Sequence, residues 1–153
     1  VDAESMIKHP AIEVIIEATG DPKTGIRLAQ LAIRNGKHII MVNVEADALA
    51  GPILAKQARE AGVVYSLAWG DQPAMICEQV DWARANGFNV VAAGKGTRYH
   101  PTYHQSTPET VWDILDKYLK IDNRQSINPK MFNSFVDGTK SGIEMTAVCN
   151  ATG

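Results

Sequence analysis

The chain has 153 residues, 45% hydrophobic and 21% charged, with fifteen basic and seventeen acidic residues giving a net charge of −2. This composition excludes a disordered, collagenous or coiled-coil chain, and a globular domain of this length buries about 68–70% of its unfolded surface. No basic cluster is present to neutralise phosphates, and no apolar run approaches the ~20 residues of a membrane helix, so neither nucleic acid nor a membrane is an expected partner.

Val1 opens the sequence without an initiator Met, and Ala151-Thr152-Gly153 closes it just after an apolar run. The expectation is a fragment of a longer protein. Ile12 to Glu17 is β-branched and reads as a strand. Thr24 to Asn35 follows as a helix, with Ile26, Ala29 and Ile33 on one face and Gly36 as its stop. Ile39 to Val42 is the second predicted strand. A helix is expected from Pro52, as a first helical residue, to a stop at Gly62. Val63 to Leu67 reads as a third strand, Pro73 to Asn86 as a helix closed by Gly87, and Phe88 to Ala93 as a fourth strand. Strands alternating with helices in this way predict a parallel α/β sheet.

After Gly94 the rhythm changes. Lys95 to Ser106 is polar and aromatic and reads as a loop. Thr107-Pro108-Glu109 reads as a helix start, continued by Val111, Leu115 and Leu119. Phe132 to Val136 and Ile143 to Val148 read as two strands bent about Asp137-Gly138-Thr139-Lys140. A second structural unit is therefore expected to begin near Gly94.

Ligands of open α/β sheets bind beyond the carboxyl ends of the strands. Four such ends are predicted: Ala18-Thr19-Gly20, Asn43-Val44-Glu45, Gly70-Asp71 and Gly94-Lys95-Gly96. No phosphate fingerprint accompanies them. The single G-x-G, at Gly94 and Gly96, has Tyr99 where a third glycine would be needed, and there is no Walker pattern. A dinucleotide domain would thus need its first βαβ unit before Val1.

Lys95, between two glycines after a strand, has the chemistry to polarise a carbonyl, donate a proton or pair with a phosphate; its plain alternative is a solvated loop lysine. Asp71 suits a substrate hydroxyl, but a helix cap is the favoured reading. Glu45 and Asp47 offer oxygen to a divalent cation, or are simply solvated. His100 and His104 share H-x3-H spacing, yet Pro101 favours a loop and no third ligand is near, so no metal site is expected there. With Arg98, Tyr99 and Tyr103 they form a donor cluster suited to a phosphorylated or polyhydroxylated small molecule. Glu144 sits among apolar residues in a predicted strand. Facing inward it would need a partner such as Lys95 or Lys140; facing outward it is ordinary alternation. Cys77 and Cys149 form neither a disulfide framework nor a zinc pattern, so a reducing cytoplasm is the expected compartment.

The stretches VIIEATGDP, AIRNGKHIIMVNVEAD, GVVYSLAWGDQP, VVAAGKG and FVDGTKSGIEMTAVCNATG, spread from Pro10 to Gly153, resemble the homoserine-dehydrogenase-like NAD(P) oxidoreductases. The nearest branch is the deoxyxylulose-phosphate-reductoisomerase-like one. The resemblance implies the second half of a Rossmann-type parallel sheet at residues 1–70, followed at 71–153 by the start of an α+β catalytic domain. It implies a cofactor, NADP or NAD, beside Ala18, Thr19, Gly20, Asn43 and Val44. It puts Lys95 and Glu144 in the catalytic part; Asp71 is the third candidate catalytic residue, on its own chemistry. Candidate substrate contacts, chosen for their donors, are Arg98, His100, His104 and Lys140. The implied substrate is a small polyol or sugar phosphate, and a homo-oligomer is expected. A reductoisomerase would also want a divalent metal, for which Glu45, Asp71 and Glu144 are the available carboxylates. Val44 departs from the A-N-K pattern of true homoserine dehydrogenases, so homoserine oxidation and a non-catalytic ligand-binding module remain the alternatives.

Overall fold

The structure, a computed structural model, describes residues 2–97, 100–118 and 127–153. Arg98, Tyr99 and Leu119 lie outside the described residues. Helix α1 (Ala3–Lys8), capped by Asp2, precedes strand β1 (Val14–Glu17). Helix α2 (Pro22–Arg34) starts at Asp21, whose side chain accepts the Thr24 N–H, and leads to β2 (His38–Met41). Helix α3 (Val44–Glu60), β3 (Tyr65–Leu67) and α4 (Gln72–Ala85) complete the alternation. The three strands are parallel in the order β1-β2-β3, with Glu17 opposite Met41 and Met41 opposite Leu67 in one row. The chain is therefore an α/β protein with a small parallel sheet.

Period-two alternation sorts the strands' side chains. Ile15, Ile39 and Met41 point to the face where α2 and α3 pack, and there they join Leu28, Ala32, Leu54 and Ala58 in the core. Val14 and Ile16, on the other face, are exposed. The helix stops read from sequence are present: Gly36, Gly62 and Gly87 follow α2, α3 and α4 with φ of +67°, +69° and +83°.

Four expectations are corrected. Helix α3 begins at Val44 rather than Pro52, because Asn43 caps it: Asn43 Oδ1 accepts the Ala46 N–H at 3.2 Å. Pro52 thus lies inside the helix, where it has no N–H for the Ala48 carbonyl four residues back. That carbonyl instead accepts from Asn150 Nδ2 at 3.0 Å. Residues 88–93 are not a strand. The chain leaves α4 through the Gly87 turn, with Phe88 N–H bonded to Ala83 O, and Val91 is 90% exposed. The run does not add to the open edge of β3, so its strand composition goes without ladder bonds, and composition alone does not make a strand.

The third and fourth corrections concern the expected strand pair near the end. Residues 132–136 belong to helix α6 (Pro129–Val136) and residues 143–148 to helix α7 (Thr139–Thr152). Asn128 caps α6, accepting the N–H groups of Lys130 and Met131, with Pro129 at the first helical position. Asp137 ends α6, Gly138 turns the chain at φ +91°, and Asp137 Oδ1 accepts the Thr139 N–H. Glu144, Ala147 and Val148 are buried at helical spacing, so Glu144 is a helix residue. Between these parts, a 3-10 helix (Pro101–Gln105) and helix α5 (Val111–Tyr118) occupy the stretch expected as loop and helix. Thr107 starts a turn that leads into α5.

By packing, the chain divides into two units, Val1–Gly94 with Ile143–Gly153, and Lys95–Gly142. The first holds the sheet and its helices. The second buries Tyr103, Val111, Leu115 and Asn133, and in it α5 packs against α6.

Candidate functional site

At the carboxyl end of the sheet, β1 runs into the Ala18–Gly20 loop, β2 into Asn43, and β3 toward Asp71. Ala18, Thr19 and Gly20 are exposed, and Gly20 adopts φ +73° with no atom within 4 Å of where a Cβ would stand. Beneath the loop lie two buried polar side chains, Glu17 and Asn43, each 3% exposed. The Thr19 N–H donates to Glu17 Oε1 at 2.8 Å. Asn43 Nδ2 donates to the Asp21 carbonyl at 3.0 Å, while its Oδ1 caps α3. Both ends of the loop are thus fastened to the sheet.

Gly25, in the first turns of α2, makes this arrangement fit. A Cβ there would stand 2.7 Å from both Glu17 Oε2 and Asn43 Nδ2 and 3.1 Å from the Ala46 Cβ. Glu17 Oε2 is buried and has no hydrogen-bond partner. The structure therefore brings Ala18, Thr19 and Gly20 together with Asn43, through Glu17 and Asp21. Val44, 1% exposed, is packed in the core below them.

The other expected residues are placed one by one. Asp71 is the N-cap of α4, its Oδ1 accepting the Gln72 N–H at 2.9 Å. Glu144 is buried on α7, and Lys140 is half-buried in the first turn of that helix. Lys95 is half-buried. His100 caps the 3-10 helix: its Nδ1 lies 2.8 Å from Thr102 Oγ1, and its ring lies against the buried Tyr103 with centroids 5.3 Å apart. His104 is exposed. Among the described residues, no three His, Cys, Asp or Glu side chains converge as metal ligands would. Arg98, expected at the substrate, lies outside the described residues.

A second place was not visible in the sequence. A cleft of about 940 Å³ lies beside the free edge of β3, bounded by α3 and α4. Asp47, expected as one of two solvated loop acids, is 4% exposed in the first turn of α3 and accepts the Tyr65 O–H at 2.7 Å. Burial pushes its carboxyl above the usual range, partly countered by the tyrosine. The Tyr65 phenol is pushed up by burial and by the neighbouring Asp47 charge. Cys77 also lines the cleft, and burial, then Asp81 and Asp47, raise its thiol, which leaves it a poor nucleophile at neutral pH. Trp69 and Trp82 stand at the rim, the first donating its indole N–H to Glu78 at 2.9 Å. Nothing in the spacing of Asp47 and Tyr65 announces that a helix and an edge strand will meet there.

A family model described as "Oxidoreductase DRL, catalytic domain" matches residues 70–153, more than half of the chain. No curated protein matches the sequence. Among the described residues, no helix is long and apolar enough to cross a membrane.

Proposed function

The chain belongs to the family of the oxidoreductase DRL catalytic domain, and from that premise we propose that it serves an NAD(P)H-dependent oxidoreductase, with the nicotinamide ring over the carboxyl end of the sheet. One observation carries the reading: the exposed, small-residue Ala18–Gly20 loop is fastened at that end by two buried polar side chains. Parallel α/β sheets hold their ligands in this place. The residues fit a flat ring. No side chain in the loop is larger than threonine, and the open space around Gly20 lets a ligand approach the backbone closely. When bound, the cofactor supplies the hydride. The protein's part is to orient the ring and to handle charge and protons on the substrate.

The substrate in this reading is a small polyol or sugar phosphate, turned over by an oxidoreduction of reductoisomerase type. Lys95 stabilises the charge that develops on the carbonyl oxygen. Arg98, His100, His104 and Lys140 supply the donors that hold the phosphate. Glu144 is the buried acid of the catalytic part, and Asp71, the N-cap of α4, is the acid that anchors a substrate hydroxyl. Val44, where homoserine dehydrogenases resemble lysine, favours a substrate other than homoserine.

Cofactor oxidation by the enzyme, followed over a panel of phosphorylated sugars and polyols, tests the reading. Lys95→Met is expected to lower turnover about 100-fold, the effect of removing one preorganised stabiliser worth roughly 3 kcal/mol, while cofactor affinity stays unchanged. Near-normal turnover in this variant would make Lys95 a solvated loop residue. A wild type inert with both NADH and NADPH would sink the proposal itself.

A further inference from the structure

The carboxyl-end row of the sheet is chemically uneven. Across it, Glu17 faces Met41 and Met41 faces Leu67, all on the side that packs against α2 and α3. The other two strands place an apolar residue in that row, Met41 buried and Leu67 half-buried. Strand β1 places an acid there at 3% exposure, and one of its oxygens has no partner. Leaving a buried acceptor unsatisfied costs about 1–3 kcal/mol, so packing alone would favour a methionine or leucine here. Moreover, α2 must keep a glycine at position 25 to make room, in the early part of a helix where alanine is intrinsically better. Among the described residues, the return for these two concessions is the bond from the Thr19 N–H to Glu17 Oε1.

From this we infer that Glu17 is a positioning residue for the nicotinamide site. Its carboxyl fixes the backbone of the Ala18–Gly20 loop in the shape that receives the ring, and it acts through the loop without touching the ligand. The inference rests on the proposed cofactor site. Its mechanical half, that Glu17 holds the loop, stands on the geometry alone. Asn43 holds the far end of the loop through the Asp21 carbonyl, so losing the near end leaves Thr19 and Gly20 tethered on one side. A pre-shaped loop lowers the ordering cost of binding, and releasing it weakens affinity.

Two variants separate this role from folding. E17M copies the residue that β2 uses in the same row: it deletes the acceptor of Thr19 and also the orphan oxygen. E17Q keeps an acceptor at Oε1 and removes the charge. Two readouts apply to the whole protein: the dissociation constant for NADPH, followed by its fluorescence, and hydrogen exchange of the Thr19 amide without cofactor. E17M is expected to melt no lower than wild type, to exchange Thr19 at least about 10-fold faster, and to bind NADPH at least about 10-fold more weakly. E17Q is expected to stay within about threefold of wild type in both. Unchanged Thr19 exchange in E17M overturns the inference, as does faster exchange with NADPH affinity still within threefold. Should E17M fail to fold, E17Q decides, and a tenfold loss of affinity there overturns it. A wild type that binds neither NADPH nor NADH overturns the cofactor reading, and the exchange measurement still reports whether Glu17 holds the loop.

Discussion

Two regions of the first unit use the same device for different ends. Under the Ala18–Gly20 loop, Glu17 is buried against Gly25 of α2; beside the β3 edge, Asp47 is buried against Gly51 of its own helix, α3. A Cβ on Gly51 would stand 2.6 Å from Asp47 Oδ1, as one on Gly25 would stand 2.7 Å from Glu17 Oε2. The partners differ. Glu17 accepts a backbone N–H from an exposed loop, whereas Asp47 accepts a phenol from the neighbouring strand. An acid bonded to a loop backbone shapes a surface, and an acid bonded to a strand side chain ties two elements of the fold together. We therefore place ligand chemistry at the first region and fold maintenance at the second, although a cleft of about 940 Å³ lies beside the second.

Breaking the two glycines sharpens this contrast. Gly25→Ala is expected to have the larger effect, a loss of about 2–3 kcal/mol by denaturant unfolding, since the new methyl displaces two buried polar atoms and crowds Ala46. Gly51→Ala meets first the Asp47 carboxyl, a single side chain, and should cost about 1–2 kcal/mol. Gly142→Ala, in α7 with nothing within 4 Å, should instead stabilise by about 0.5–1 kcal/mol. A gain at Gly25 equal to that at Gly142 would mean that the site beneath the loop has slack.

Asp47 provides a smaller, pH-dependent contrast. Burial raises its carboxyl in the folded state above the unfolded value of 3.8. The folded protein therefore binds that proton more tightly, and ionised Asp47 weakens the fold at neutral pH. Asp47→Asn, which keeps an acceptor for Tyr65, should be more stable than wild type at pH 7. The difference should shrink as pH falls through the raised value and vanish below 3.8, where both side chains are neutral. Urea unfolding of the pair at several pH values reads it. A variant less stable at pH 7 would show that the charged bond to Tyr65 outweighs desolvation.

Much of the fold's first half was legible. The strands expected at Ile12–Glu17 and Ile39–Val42 form at Val14–Glu17 and His38–Met41 and pair in parallel, and the glycine stops end three helices. Local signals settled these because strand, stop and helix face agreed with one another. Reading failed where two signals competed. Pro52 suits a helix start, but the Asn43 cap begins the helix earlier. The apolar runs at 132–136 and 143–148 suit strands, but Asn128-Pro129, a cap followed by a first-turn proline, starts a helix before the first of them. Phe88 to Ala93 has strand composition yet does not join the open edge of β3, which is a tertiary outcome. The candidate loop at Ala18–Gly20 was visible as a strand end. Glu17 and Asp47 were not, because burial of an acid depends on which helix passes over it and on the glycine that lets it pass.

The central claim is that the loop end of the sheet, and not the cleft at its edge, receives the nicotinamide. Titrating the isotope-labelled protein with NADPH to millimolar concentration, while following backbone amides and the indoles of Trp69 and Trp82 by NMR, tests this directly. Progressive shifts at Ala18, Thr19 and Gly20, with the two indoles unmoved, are the expected result. Shifts confined to the indoles and Tyr65, with the loop silent, would contradict it.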